Sequence, residues 1–193
     1  MTEPVVSRRE RKKAATRQSI ADAALELFLE RGYDHVSIRE IADAADVSTA
    51  TVFKHFTGKE ALVFDREEST DAQLIGAVRQ RAAGQGVLDA LRQHVLDTWL
   101  PFAADPQREE FTRLVDSTPA LRAYAERMWA RHTDTLGAAI ADEFGVDHDN
   151  LACTALARFV LEVPVLAQAQ NDRRAAVEEV FDILANGWQP PST

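Results

Sequence analysis

A lone cysteine, Cys153, leaves the chain no internal disulfide, and no charged residue flanks it. It is expected as a small buried helix residue rather than a nucleophile or redox sensor. Glycine and proline are sparse, at eight and seven of 193 residues, and β-branched runs are scarce. Ala, Leu, Glu and Arg fill the space, and they favour helices. No run approaches 18 uninterrupted apolar residues, and the most apolar stretch, 155–169, carries Arg158, Glu162 and Pro164. Residues 1–13 have no apolar segment suited to a signal peptide. The expectation is a soluble, cytoplasmic chain. Cys-x-x-Cys, His-Glu-x-x-His, Gly-rich phosphate loops and nucleophile elbows are all missing. The histidines, His35, His55, His94, His132 and His148, fall at no metal-ligating spacing. The sequence points away from an enzyme and requires no metal or cofactor.

Lysine vanishes after residue 59, and this draws attention to how charge is divided. The net charge of -9 looks wrong for a nucleic-acid binder. Yet residues 1–60 hold ten basic and ten acidic residues, so the whole excess lies in 61–193. Within residues 1–20, six basic residues face only Glu3 and Glu10. A basic-leaning head on an acidic body turns one end of the molecule toward phosphate. A solvated tail explains the same run equally well on charge alone.

Residues 1–13 read as a polar, basic, disordered arm. From Thr16 an apolar stripe begins with Ile20, Ala24, Leu27 and Phe28, and it stops at Arg31-Gly32, where Gly suits a left-handed cap. Ser37-Ile-Arg-Glu40 is a capping box opening a short helix to about Ala45. Asp46-Val47-Ser48 forms a turn, and Ser48 caps a second short helix to about Phe56. Thr57-Gly-Lys-Glu60 is a further capping box, starting a helix expected to run from Lys59 to about Ala82. Longer helices follow over 87–102, from Asp105-Pro106 to about Asp116, and from Thr118-Pro119 to Phe144, closed by Gly145. Asp147 and Asn171 suit as caps for the last two, about 149–170 and 173–187. The fold class is all-α: a three-helix helix-turn-helix head over 1–62 with its basic arm, and a larger helical domain over 63–193.

The segment 38–56 fits a helix-turn-helix position by position. Ala42 is small where two helices cross closely, and Ile41, Ala45, Val47 and Val52 supply a miniature core. Asp46 stands where the turn needs a positive φ, which Gly meets best and Asp tolerates. The second helix presents Thr49, Ala50, Thr51, Phe53, Lys54 and His55 outward, the geometry by which such a helix lies in the major groove. By pattern alone, a plain αα-hairpin stands beside this reading.

The run from Thr16 to Phe64 resembles the DNA-binding domain of the TetR family of transcriptional regulators. The matching features are the Ala-Leu-Phe helix ending in Arg31-Gly32-Tyr33, Ser37 before Ile41-Ala42, Val47-Ser48, His55-Phe56, and Lys59-Glu60. The resemblance implies that Ser37 and Lys59 hold phosphates. It also implies that Ser48, Thr49, Ala50, Thr51, Phe53, Lys54 and His55 form the DNA-facing surface, with Arg39 at backbone or groove and Arg8 to Lys13 as a basic arm. The chain departs from the family pattern at Ala50, where Gly is frequent, and at Asp46, where Gly is again frequent. It departs also at Phe53, which replaces a frequent Tyr and cannot make that residue's hydroxyl contact to phosphate.

The body has an apolar stripe at Val177, Val180, Phe181, Leu184 and Trp188, and another at Leu156, Phe159, Val160, Val163 and Leu166. The resemblance implies that the last two helices pair across a two-fold axis, with Phe159, Val163, Val177, Val180, Phe181, Leu184 and Trp188 at a homodimer interface. The stripes fit a subunit's own core as well. Arg158 and Glu162, one turn apart, suit either register-fixing at the interface or a solvated edge. Pro164 removes a backbone hydrogen bond within its helix. Aromatic and soft residues gather mid-chain: His94, Trp99, Phe102, Phe111, Tyr124, Met128, Trp129 and His132 are candidates to line a site for a small, largely apolar effector, or are core filler. The expected function is a ligand-responsive regulator, a repressor that binds a palindromic DNA operator as a homodimer. The alternative is a DNA-bound architectural or regulatory protein without a small ligand.

Overall fold

The computed structural model describes residues 7–65, 70–103 and 107–187, with the side chains of Phe102 and Ala103 outside that description. Trp188, expected at the subunit interface, lies outside the described residues. Helix α1 (Arg8–Arg31) starts well before the apolar stripe does. Its start is a capping box. Ser7 Oγ accepts from the Glu10 N–H at 3.2 Å, and the Glu10 carboxylate accepts from the Ser7 N–H at 2.9 Å. The basic segment expected as a disordered arm is therefore helical from Arg8 onward. Residues 8–15 are all exposed, so no buried stripe announces the helix in the sequence.

Ile20, Ala21, Ala24 and Phe28 bury one face of α1. The helix stops at Gly32, whose φ of 84° and ψ of 152° form a backbone conformation open to glycine alone, instead of the left-handed cap expected there. A 3₁₀ turn, Tyr33–His35, leads into α2 (Ile38–Ala44) and α3 (Thr49–His55). Helix α4 (Lys59–Val63) is capped by Gly58 with no side-chain bond, so the expected Thr57–Glu60 capping box does not form. The single helix expected over 59–82 is instead α4 and a separate α5 (Thr70–Arg79).

Helix α6 (Val87–His94) passes through a π turn, Val95–Trp99, into α7 (Leu100–Ala103). The wider turn contains Asp97, whose carbonyl the Pro101 ring would meet in a regular α-helix. Then come α8 (Arg108–Ser117), α9 (Pro119–Phe144), α10 (Leu151–Gln168) and α11 (Arg173–Asn186). Asn150 and Asp172 cap the last two, displacing the expected Asp147 and Asn171 by three residues and by one. No strand occurs among the described residues.

The chain divides into two compact units. Among the described residues, 7–65 and 109–125 form the first, and 70–103, 107–108 and 126–187 form the second. The stretch 109–125 thus joins the head, which a boundary at residue 62 does not provide for. In the first unit α1 packs on α2 and α4, and α2 packs on α3. Phe64 lies 5.8 Å edge-on from Phe111 and 5.4 Å stacked on Tyr124.

In the second unit one core takes in Leu74, Val78, Leu91, Leu136, Ile140, Cys153, Ala157, Val160, Val163, Val177 and Phe181. Cys153 is buried there, as its small apolar character suggests. Helix α10 is, among the described residues, long and apolar enough by composition to cross a membrane. Its face at Cys153, Ala157, Val160, Val163 and Ala167 is spent on this core, and Arg158 and Glu162 stand on its exposed side.

Candidate nucleic-acid interface

The turn between α2 and α3 fixes how α3 is presented. Asp46 has a φ of 52°, the one positive value at a non-glycine among the described residues. Val47 N–H donates to Ala42 O at 2.9 Å and Asp46 N–H to Asp43 O at 3.3 Å, which together close a Schellman motif. The short carboxylate side chain of Asp is tolerated in this region where a β-branched one is not. Ser48 then caps α3, accepting from the Thr51 N–H at 3.1 Å. The Oγ atoms of Ser48 and Thr51 also share a hydrogen bond of 2.8 Å, so the Thr51 hydroxyl is already engaged.

Only Val52 of α3 is buried, with Phe56 just beyond it. Thr49, Ala50 and Lys54 are exposed, and Phe53 keeps 60% of its surface in water. Arg39 on α2 is exposed as well. Leaving a phenyl ring in water forgoes about 1–2 kcal/mol that burial would contribute. The exposed side of α3 is therefore an unpartnered surface of mixed apolar and cationic character.

Three residues sit differently from expectation. Ser37 does cap α2, but its hydroxyl donates to the Glu40 carboxylate at 2.7 Å and that carboxylate also accepts from the Ser37 N–H at 2.9 Å. These bonds, the backbone one foremost, hold the Glu40 carboxyl below its ordinary range. In the structure Ser37 is the cap of α2, and the Glu40 carboxylate stands beside any phosphate it would hold.

Lys59 is likewise turned inward. Its ammonium donates to the Tyr33 carbonyl and lies over the Tyr33 ring at 4.1 Å and the Phe28 ring at 5.4 Å. Burial lowers its pKa, against the opposing pull of Asp34, Glu60 and Glu40. The same burial raises that of the Tyr33 phenol, helped by Glu60. In the structure Lys59 fastens the 3₁₀ turn through its ammonium. His55 is half-buried, its Nδ1 enclosed without a hydrogen-bond partner. Burial lowers its pKa first, then the cations Lys13, Arg17 and Lys54.

Arg17 is the residue that sequence reasoning missed. Its guanidinium donates to the His55 carbonyl at the end of α3 and to Asp65, both at 2.6 Å, and covers the Phe56 ring at 4.5 Å. It fastens α3 to α1. No local pattern signals this, because its partners lie 38 and 48 positions away.

The residues expected at an effector site divide between the two units. Phe111 and Tyr124 pack on Phe64 in the first, where 109–125 folds with the head. In the second, Met128 and His132 are buried, His94 and Trp99 are half-buried, and Trp129 is exposed to 37%. The His132 ring meets Trp129 edge-on at 5.2 Å, and its Nδ1 lies against the Asp71 carboxylate. Burial lowers the pKa of His94. The side chain of Phe102 lies outside the described residues.

The expected interface residues also split. Val163, Val177 and Phe181 are buried in their own subunit's core, which corrects their assignment. Val180 and Leu184 are half-buried against that core. Phe159 is 56% exposed, and it shares the outward side of α10 with Leu151, Val165 and Leu166. At about 100° per residue, these four stand across the helix axis from the buried stripe. Ile183 of α11 is also exposed.

Comparison with known proteins gives this arrangement its setting. Residues 20–65 match the model of bacterial regulatory proteins of the tetR family, and residues 85–189 match the MftR C-terminal domain. The chain is 33% identical over 149 residues to the HTH-type transcriptional regulator TcmR of Streptomyces glaucescens, an alignment covering 74% of this chain and 66% of that protein. The chain thus spans just under two thirds of that relative's length. The fold is similar to the crystal structure of NalD, the secondary repressor of the MexAB-OprM multidrug efflux pump in Pseudomonas aeruginosa. The TM-score is 0.60 at 21% identity, covering 91% of this chain and 97% of that one. It is also similar to FadR of Bacillus subtilis, solved in complex with stearoyl-CoA, with a TM-score of 0.55 at 20% identity, covering 89% and 99%.

Proposed function

Because the chain belongs to the TetR family of DNA-binding transcriptional regulators, we propose that it is a repressor that grips a palindromic operator as a homodimer and is released by a small, largely apolar effector. The observation that carries this reading is the outward side of α3. A seven-residue helix, locked by the Asp46 turn, the Ser48 cap and the Arg17 clasp, leaves Thr49, Ala50, Phe53 and Lys54 in water. A rigid, unpartnered, cation-flanked helix of this size fits the major groove.

Two copies suit a palindrome, because an isologous interface and the operator then share one symmetry. The exposed Leu151, Phe159, Val165 and Leu166 of α10 supply an apolar surface for that interface, with Arg158 and Glu162 on the same side to fix its register. The effector belongs to the second unit. His94, Trp99, Met128, Trp129 and His132 are of the right character for it, and a protein of the same fold holds a fatty acyl-CoA. Effector binding would favour a conformation with lower DNA affinity, by a coupling of about 1–3 kcal/mol. The cytoplasm is the location this role requires, and no catalytic step is part of it.

The test begins with duplexes selected from random DNA by the purified protein. Lys54→Ala and Thr49→Ala are each expected to weaken binding to the selected operator by about tenfold, the scale of one lost base contact, with helicity by circular dichroism unchanged. Unchanged affinity in both variants would overturn the reading.

A further inference from the structure

The outward side of α3 is unusual in what it offers a base. From Ser48 to His55 the sequence is Ser-Thr-Ala-Thr-Val-Phe-Lys-His, with no Arg, Asn, Gln, Asp or Glu. Those are the side chains that pair two-pronged with guanine or adenine, or accept from cytosine. The Thr51 hydroxyl is tied to Ser48, and the His55 Nδ1 is enclosed. Among the exposed positions of α3 itself, Lys54 and Thr49 are left as hydrogen-bonding groups, beside the exposed Ser48 hydroxyl that caps the helix.

What α3 does present is carbon. Ala50 and Phe53 stand one turn apart on the exposed side, and Thr49 adds a methyl group one turn from Phe53 on its other flank. Phe53, at 60% exposure, carries the largest share of that surface. Lys54 stands beside it in sequence, and Lys13 is close enough to act on His55 at the helix end, whereas Arg17 there is paired with Asp65. A phosphate-seeking rim around an apolar centre selects a duplex, and in the major groove the one apolar group on a base edge is the thymine C5-methyl.

We propose that this protein recognises its operator chiefly through thymine methyl groups, read by Phe53 with Ala50 and the Thr49 methyl. Lys54 supplies the polar contact beside them. The inference rests on the DNA-binding reading above and deepens it by naming what α3 reads. Phe53, in place of a tyrosine able to bond phosphate, acts as a specificity residue and not as a backbone anchor. The operator half-site then contains at least one thymine whose methyl group the protein requires.

The experiment uses the full-length protein and the operator selected from random DNA. Each thymine is replaced in turn by deoxyuridine, which keeps every hydrogen bond and the base pair and removes only the methyl group. At one symmetric pair of positions the affinity is expected to fall about fourfold per methyl lost, some fifteenfold for the pair, the equivalent of one buried carbon each. Phe53→Ala is expected to lose most of the methyl effect at those positions, because Ala50 and the Thr49 methyl keep the remainder, while remaining fully helical, so the two losses do not add. Three results overturn the proposal. One is an operator whose thymines are all replaceable without loss. A second is a Phe53→Ala variant that keeps the full methyl effect. The third is a Phe53→Ala loss that is uniform across unrelated duplexes, which assigns the ring to the backbone. If no duplex is enriched at all, the underlying DNA-binding reading fails and this inference falls with it.

Discussion

Asp46 shows how much a single backbone angle decides. With φ at 52° it turns the chain so that Val47 closes onto Ala42 and Ser48 begins α3 in register. This was legible in the sequence, because a short polar residue between two capped apolar stretches meets few other needs. Asp46→Gly is expected to be neutral or stabilising by up to about 1 kcal/mol. Asp46→Val is expected to cost about 1–2 kcal/mol, since a β-branched side chain resists positive φ. Urea unfolding with an unchanged m value reads both, and a Val variant as stable as the native chain would contradict the assigned turn. Lys59 and Arg17 were less legible. Their types and positions in sequence fit phosphate contacts or a plain surface, and only the fold reveals that the Tyr33 carbonyl and the His55 carbonyl are their partners.

At the scale of elements, the capped starts of α2 and α3 stood out in the sequence, whereas those of α1, α10 and α11 did not, although each has a side-chain cap. The bounds of α2, α3 and α9 follow from Ser37, Ser48, and the Thr118-Pro119 and Gly145 punctuation. The early start of α1 was missed because an exposed helix has no apolar rhythm, although its Ser7–Glu10 box was there to be read. Helix α10 exposes the deeper limit. It is apolar on two sides, and periodicity cannot say which side the subunit keeps for itself. The fold assigns Val160 and Val163 inward and Phe159 and Leu166 outward. Replacing both Phe159 and Leu166 by Asp is therefore expected to leave the monomer folded and to abolish self-association at micromolar concentrations. Each outward apolar side chain contributes about 1.5–3 kcal/mol when buried. Sedimentation equilibrium measures this, and a double variant that still sediments as a dimer would place the interface elsewhere.

Over the whole molecule, function follows the division of charge. All four lysines lie in the first 60 residues, and the acidic excess lies beyond them. Arg8, Arg9, Lys12 and Lys13 ride on the exposed first turns of α1, a helix that also buries the core of the head and holds α3 through Arg17. The basic surface is therefore carried by the same compact unit as α3, the helix proposed to read bases. The most direct measurement of the central claim, that this end of the protein lies against duplex DNA, is the affinity for the selected operator as salt is raised from about 50 to 200 mM. Neutralised phosphates release counterions, so several such contacts per dimer are expected to give a steep linear fall of log affinity against log salt, losing at least about a hundredfold over that range. An affinity that stays flat as salt rises would contradict the account.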